Sequence, residues 1–155
     1  MKLIKLIDEN KQKLADGCIL PDGQVAIAWC DLLTHGTYPD IESLVAIQSK
    51  IPGREIVDHV TDLNQKWSGI DFYGFSLVRD EDVTGVSGKG VVAVGCKFPR
   101  RMVVLQWVVG IPSTFWYPNL ETLRVLHGHN GKTRIVPCLK SGVSAPSPTH
   151  GGFDE

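Results

Sequence analysis

The chain is short of the features that most readily announce a function. Its formal net charge is −1 over 155 residues. That leaves no basic excess for duplex nucleic acid, whose affinity comes from neutralising phosphates. No run of about eighteen apolar residues is present, so no membrane-spanning segment is expected. Residues 1–8 hold too short an apolar stretch for a signal peptide, and Asp8 and Glu9 interrupt it, which points to the cytoplasm. Cys18, Cys30, Cys96 and Cys138 form no C-x-x-C pair. They read as reduced cysteines of a cytosolic protein, with an oxidised Cys18–Cys96 pair as the alternative. No catalytic residue, cofactor or metal is expected, and the protein reads more as a binder than as an enzyme.

What is present is a repeat. Gly17-Cys18-Ile19-Leu20-Pro21-Asp22-Gly23-Gln24-Val25-Ala26-Ile27-Ala28-Trp29 returns as Gly95-Cys96-Lys97-Phe98-Pro99-Arg100-Arg101-Met102-Val103-Val104-Leu105-Gln106-Trp107. After one residue of slip, Tyr38-Pro39-Asp40-Ile41-Glu42-Ser43-Leu44 returns as Tyr117-Pro118-Asn119-Leu120-Glu121-Thr122-Leu123. Such a self-match indicates one supersecondary unit used twice. Val25, Ile27 and Trp29, and then Val103, Leu105 and Trp107, alternate with smaller or more polar residues, the period of a strand with one heavy face. A short strand precedes each, joined by a turn at Pro21-Asp22-Gly23 or at Pro99-Arg100-Arg101. Helices follow, with Pro39 and Pro118 expected at the first helical position. Leu44 and Leu123 lie on the apolar stripes, and Gly128 ends the second helix. A last strand is expected near residues 54–57 and 134–137.

The expected fold is therefore α+β. An internally duplicated ββαβ unit shares one mostly antiparallel sheet or small barrel, with the helices packed on it. Residues 1–140 read as a single domain of two repeats, 17–57 and 95–136, joined by a helical linker and an inserted hairpin at 58–94. Residues 8–15 read as a short helix, and so do residues 58–67. Residues 141–155 form a tail rich in Ser, Pro and Gly.

The copies diverge where chemistry is most visible. His127-Gly128-His129-Asn130-Gly131-Lys132-Thr133-Arg134 gathers four potentially cationic side chains on a hinge-rich loop, where the first copy has Gln48-Ser49-Lys50-Ile51-Pro52-Gly53-Arg54. Such a loop can wrap an anion. Equally, it can be a helix cap followed by an Asn-Gly turn, the histidines capping carbonyls. Zinc would require ligands beyond His127 and His129, and no spacing supplies them. Asp80, Glu81 and Asp82 are acid–base partners for a small hydrolase or a solvated turn. Gly85-Val86-Ser87-Gly88-Lys89-Gly90 lacks the ending of a phosphate loop and precedes a strand, so it is a glycine-rich hairpin or a ligand-lining loop. Trp116 has Thr37 as its counterpart, so the repeat does not demand it; it packs in the core or stacks on a ring. Divergence at one loop suggests that the second copy kept a site while the first became scaffold.

Residues 75–136 resemble a family of small phage and prophage proteins with a G-V-S-G-x-G-x-V-A-x-G … H-G-H-x-G-x-T signature. The resemblance is carried by Phe75-Ser76-Leu77-Val78-Arg79, by Gly85-Val86-Ser87-Gly88-Lys89-Gly90-Val91-Val92-Ala93-Val94-Gly95, by residues 98–107, by Ser113-Thr114 and Tyr117, and by His127-Gly128-His129-Asn130-Gly131-Lys132-Thr133. It implies a phage origin and hence the host-cell cytoplasm.

The leading expectation is a non-catalytic protein that sequesters an anionic nucleotide signal of host defence. His127, His129, Lys132 and Arg134 would meet phosphates and Trp116 would stack. Ser87 and Lys89 would close the pocket, with Ser113 and Arg79 beside them. The rivals are a protein–protein inhibitor acting on a host defence protein, and a small histidine-dependent hydrolase. A homo-oligomer is expected; membrane and duplex nucleic acid are not expected as partners.

Overall fold

In the computed structural model, the residues described are 1–31, 34–62, 64–81 and 89–139. The chain divides into two compact units, Met1–Val60 and Thr61–Glu155. The first contains β1 (Lys2–Ile7), β2 (Lys13–Ile19), β3 (Val25–Trp29), β4 (His35–Tyr38), α1 (Ile41–Gln48) and β5 (Glu55–Asp58). The second contains β6 (Tyr73–Arg79), β7 (Gly90–Lys97), β8 (Val103–Trp107), β9 (Ser113–Tyr117), α2 (Leu120–His127) and β10 (Thr133–Cys138). Each forms its own antiparallel five-stranded sheet, in the orders β4-β3-β2-β1-β5 and β9-β8-β7-β6-β10. The two orders are the same topology. The fold is α+β as expected, but there are two open sheets rather than one shared sheet or a barrel.

The unit is therefore ββββαβ, one strand longer at each end of the first hairpin than the sequence pattern showed. The equivalence extends to register. In the first unit the β1–β2 pairing slips between Leu6 and Ile7, and in the second β6–β7 slips between Leu77 and Val78. Those positions coincide once Gly17 is laid on Gly95. A bulge at the same rung of both ladders bends and twists the sheet in the same place.

Three expectations are corrected. Residues 8–15 are not helical: Asp8 accepts hydrogen bonds from the Asn10 and Gln12 amides, at 2.8 and 2.9 Å, and Lys11 takes φ 63°. That closes the β1–β2 hairpin, because a carboxylate satisfying turn amides competes with a helix. Residues 58–67 are not α-helical among the described residues; Asp58 ends β5, Asp62 accepts from the Asn64 amide at 2.9 Å, and one 3₁₀ turn forms at Trp67–Gly69. Pro39 and Pro118 lie two residues ahead of the first helical position, just before the caps. Asp40 and Asn119 are the N-caps, accepting from the Ser43 and Thr122 amides at 2.7 and 2.8 Å.

Each helix packs on one face of its own sheet. Leu44 joins Ile4, Leu6, Ala15, Val25 and Ile27 in the first core. Leu120 and Leu123 join Phe75, Leu77, Ala93, Val103 and Leu105 in the second. Trp29 and Trp107 flank these cores half-buried. Cys18 and Cys96 are buried free thiols, so the alternative of an oxidised pair is not taken up. The turn at Pro99–Arg101 closes without glycine by placing Arg100 and Arg101 at φ 64° and 81°. No helix among the described residues is long and apolar enough to cross a membrane.

Gly17 and Gly95 occupy equivalent rungs beneath the core. A Cβ on Gly95 would press on the Val104 carbonyl oxygen and come 2.6 Å from Cζ of Phe75; on Gly17 its nearest neighbour would be Ile27 Cδ1, also at 2.6 Å. A side-chain tip can move and a strand carbonyl cannot. Gly95→Ala is therefore expected to destabilise by about 1–3 kcal/mol, the usual range for overpacking, and Gly17→Ala by less. Urea unfolding of both variants checks the order.

Candidate functional site

The end row of the second sheet collects most of the residues singled out from the sequence. Arg79 ends β6 and pairs with Thr133 on β10 and Gly90 on β7. Lys89 immediately precedes that glycine and is exposed. Ser113 starts β9 opposite Trp107 on β8, in the row of Leu77 and Ala93, two rows in from Arg79. On β6 the positions 73, 75, 77 and 79 alternate onto one face, the face that α2 covers. Arg79 is only 3% exposed and donates from Nε to Oγ1 of Thr133 at 3.4 Å.

His127 is the last residue of α2, which lays its ring over this corner. Its Nε2 lies 2.9 Å from the Tyr117 hydroxyl. Its ring meets Trp107 edge to face, with centroids 5.0 Å apart and planes at 77°. Burial holds the imidazole below the ordinary histidine range, and nearby His129 and Arg79 push it the same way. Burial also raises the Tyr117 phenol above its usual value. Near neutral pH this is a neutral imidazole bonded to a neutral phenol, beside a buried guanidinium and an indole. After α2, His129, Asn130 and Gly131 take φ 46°, 55° and 86°. Three successive left-handed residues reverse the chain at once and bring His129 close to His127.

The loop cations are held by the acidic stretch. Arg134 makes a two-pronged ion pair with Asp80, at 2.6 and 2.9 Å, and Lys132 meets Glu81 at 3.0 Å. The Arg134 hydrogen bonds keep the Asp80 carboxyl below the usual carboxylate range. Asp80 and Glu81 thus act as counter-ions to the loop. Among the described residues no group of three or more metal-ligating side chains comes together.

Trp116 stands apart from this corner. It pairs with Val104, so it lies on the face opposite Tyr117. There it stacks on Phe98, centroids 5.6 Å apart at 19°, and Phe98 in turn stacks on Phe72 at 5.6 Å. Trp116 and His127 therefore do not form one site. Ser87 and Asp82, and the tail at 141–155, lie outside the described residues.

Trp107, Tyr117 and Thr133 are the members of the corner that sequence reasoning passed over. The repeat carried the signal. Continued through the helix, it sets Gln48 against His127, ten residues after the matching tyrosines.

Comparison with known proteins bears on this unit. Residues 73–138 match the family model described as Acb5 phage protein. The matched stretch begins with β6 and ends with β10, so it spans the whole second sheet, its helix and the His127 corner. No curated protein and no solved structure matches the chain.

The buried His127 makes stability depend on pH. Its folded-state pKa lies below the unfolded value of about 6.5, so in that window the unfolded chain binds more protons. The stabilisation is complete above about pH 6.5 and is lost as pH falls through the folded-state value. His127→Gln places there the side chain that the first unit uses and removes the titration. Thermal melts between about pH 7.5 and about pH 5 should show a smaller fall in Tm for this variant than for the parent chain.

Proposed function

We propose that this is a non-catalytic phage protein that sequesters an anionic nucleotide signal of host anti-phage defence. The observation carrying this reading is the corner of the second sheet, where a buried arginine, a half-buried histidine and an indole converge under the end of α2. A guanidinium is suited to phosphate, presenting a planar fork of donors. Trp107 offers a ring surface for a base. Lys132 and Lys89 supply positive charge at the rim, with Asp80 and Glu81 limiting its strength, and His129 adds a ring that can hydrogen-bond. The family match supports a phage origin, and it covers the unit that holds this corner.

The second reading, a protein–protein inhibitor, is favoured by the outer face of α2. Val125 and Leu126 are 73% and 58% exposed there, more than a lone helix on a sheet requires. It would show as a host protein captured by the parent chain and released by Leu126→Glu.

Isothermal titration with cyclic dinucleotides, cyclic trinucleotides and cyclic ADP-ribose isomers tests the nucleotide reading. Binding to at least one is expected. Arg79→Met should weaken it about 10- to 100-fold, the effect of losing a charged hydrogen bond. No heat from any member of the panel, with folded protein, overturns it.

A further inference from the structure

Overlaying the two registers residue by residue shows that the first unit is not plain scaffold. Trp29 stands where Trp107 stands, Tyr38 where Tyr117 stands, and Gln48 where His127 stands, since Val25 pairs with Tyr38 as Val103 pairs with Tyr117. The contacts correspond too. Gln48 Nε2 donates to the Tyr38 hydroxyl at 3.4 Å, as His127 Nε2 meets Tyr117. Gln48 is 6% exposed and its Oε1 accepts from Nη1 of Arg54 at 2.6 Å. The Arg54 guanidinium lies over the Trp29 ring, 6.0 Å from its centroid.

The arginine arrives by a different route. In the second unit it is Arg79 on β6, opposite Thr133 on β10. In the first, the position matching Arg79 is Asp8, whose carboxylate is occupied with turn amides. Arg54 instead takes the position matching Thr133, one residue ahead of β5. The guanidinium has moved one column along the same end row of the sheet, and the aromatic, phenolic and helix-end partners remain around it.

We propose that Trp29, Tyr38, Gln48 and Arg54 form a second anionic nucleotide site, so that one chain takes up two ligands. The proposal rests on the nucleotide reading of the His127 corner and extends it to the other unit. Contacting planar groups sit roughly 3.5–4 Å apart, so a base between guanidinium and indole requires about 7 Å. The Arg54 Cζ stands 6.0 Å from the centre of the Trp29 ring, so the two are not in stacking contact. Entry of a base would require the half-buried arginine side chain to swing away from the ring. Among the described residues Arg54 has no carboxylate partner, unlike Lys132 and Arg134. A phosphate beside it would supply the missing counter-charge.

Equilibrium dialysis of the full chain against cyclic di-AMP and cyclic GMP–AMP counts the sites. Two probe molecules per chain at saturation are expected, falling to one in Arg54→Met, to one in Arg79→Met and to none in the double variant. One probe per chain, unaffected by Arg54→Met and lost in Arg79→Met, overturns the second site and leaves the His127 corner standing. One probe, lost in Arg54→Met and kept in Arg79→Met, removes the His127 corner and upholds the site proposed here. No probe on the folded parent chain overturns both. Should Arg54→Met fail to fold, photo-crosslinking of 8-azido cyclic di-AMP to the parent chain decides. Label on peptides within residues 29–54 supports the site, and label confined to residues 79–133 overturns it.

Discussion

One contact holds each half together where it matters: the side chain at the end of the helix bonded to the tyrosine at the end of the outer strand. The helices α1 and α2 are eight residues each, too short to be stable alone. They persist because they are fastened at three points. Asp40 or Asn119 caps the first turn, Leu44 or Leu123 is fully buried in the middle, and Gln48 or His127 reaches Tyr38 or Tyr117 at the far end. The tyrosine must face the helix for this to work. A one-residue slip of β4 or β9 would turn it to the other face. The bond thus couples helix seating to strand register, and register in turn sets where the neighbouring tryptophan and the end-row arginine lie.

Much of this could be read from the chain because the repeat's identities fall on residues that the architecture requires. Gly17 and Gly95 leave room beneath a core side chain; Tyr38 and Tyr117 hold the helix; Trp29 and Trp107 flank the core. What could not be read had physical causes. In β1, Ile4, Leu6 and Ile7 are all buried, so the period of two is blurred and a strand does not announce itself. Residues 8–15 carry helix-forming side chains, but Asp8 satisfies a turn instead. Val60 fits a helical spacing on paper yet is 81% exposed, so no core rewards that helix. The sequence places Trp116 with His127 because nothing in its pattern announces β9 as a strand. Once Tyr117 faces the helix, Trp116 has to face away.

The electrostatics of the His127 loop also differ from what its composition implies. Counted along the chain, Lys132 and Arg134 look like free positive charge. In space, Asp80 and Glu81 meet them across the β6–β10 pair. Exposed ion pairs of this kind contribute little to stability, but they lower the field that an approaching anion would feel. If an anion binds in this corner as proposed, selective affinity would have to come from groups shielded from water, where a charge–charge interaction is stronger than at the surface. Arg79, at 3% exposure, is such a group. For such an anion, the exposed cations would tune only the approach and the salt dependence.

The arginine itself shows why aligning the two copies as strings is not enough. Arg54 and Arg79 share no position in the repeat: one precedes the last strand of its unit and the other ends the first. A string comparison scores both as mismatches, Arg54 against Thr133 and Asp8 against Arg79. The pairing of β1 with β5, and of β6 with β10, makes those two columns neighbours on one row. A long, flexible side chain starting from either column reaches the same corner. What both copies have in common is therefore a place in the sheet rather than a residue in the sequence, and only the hydrogen-bond register reveals it.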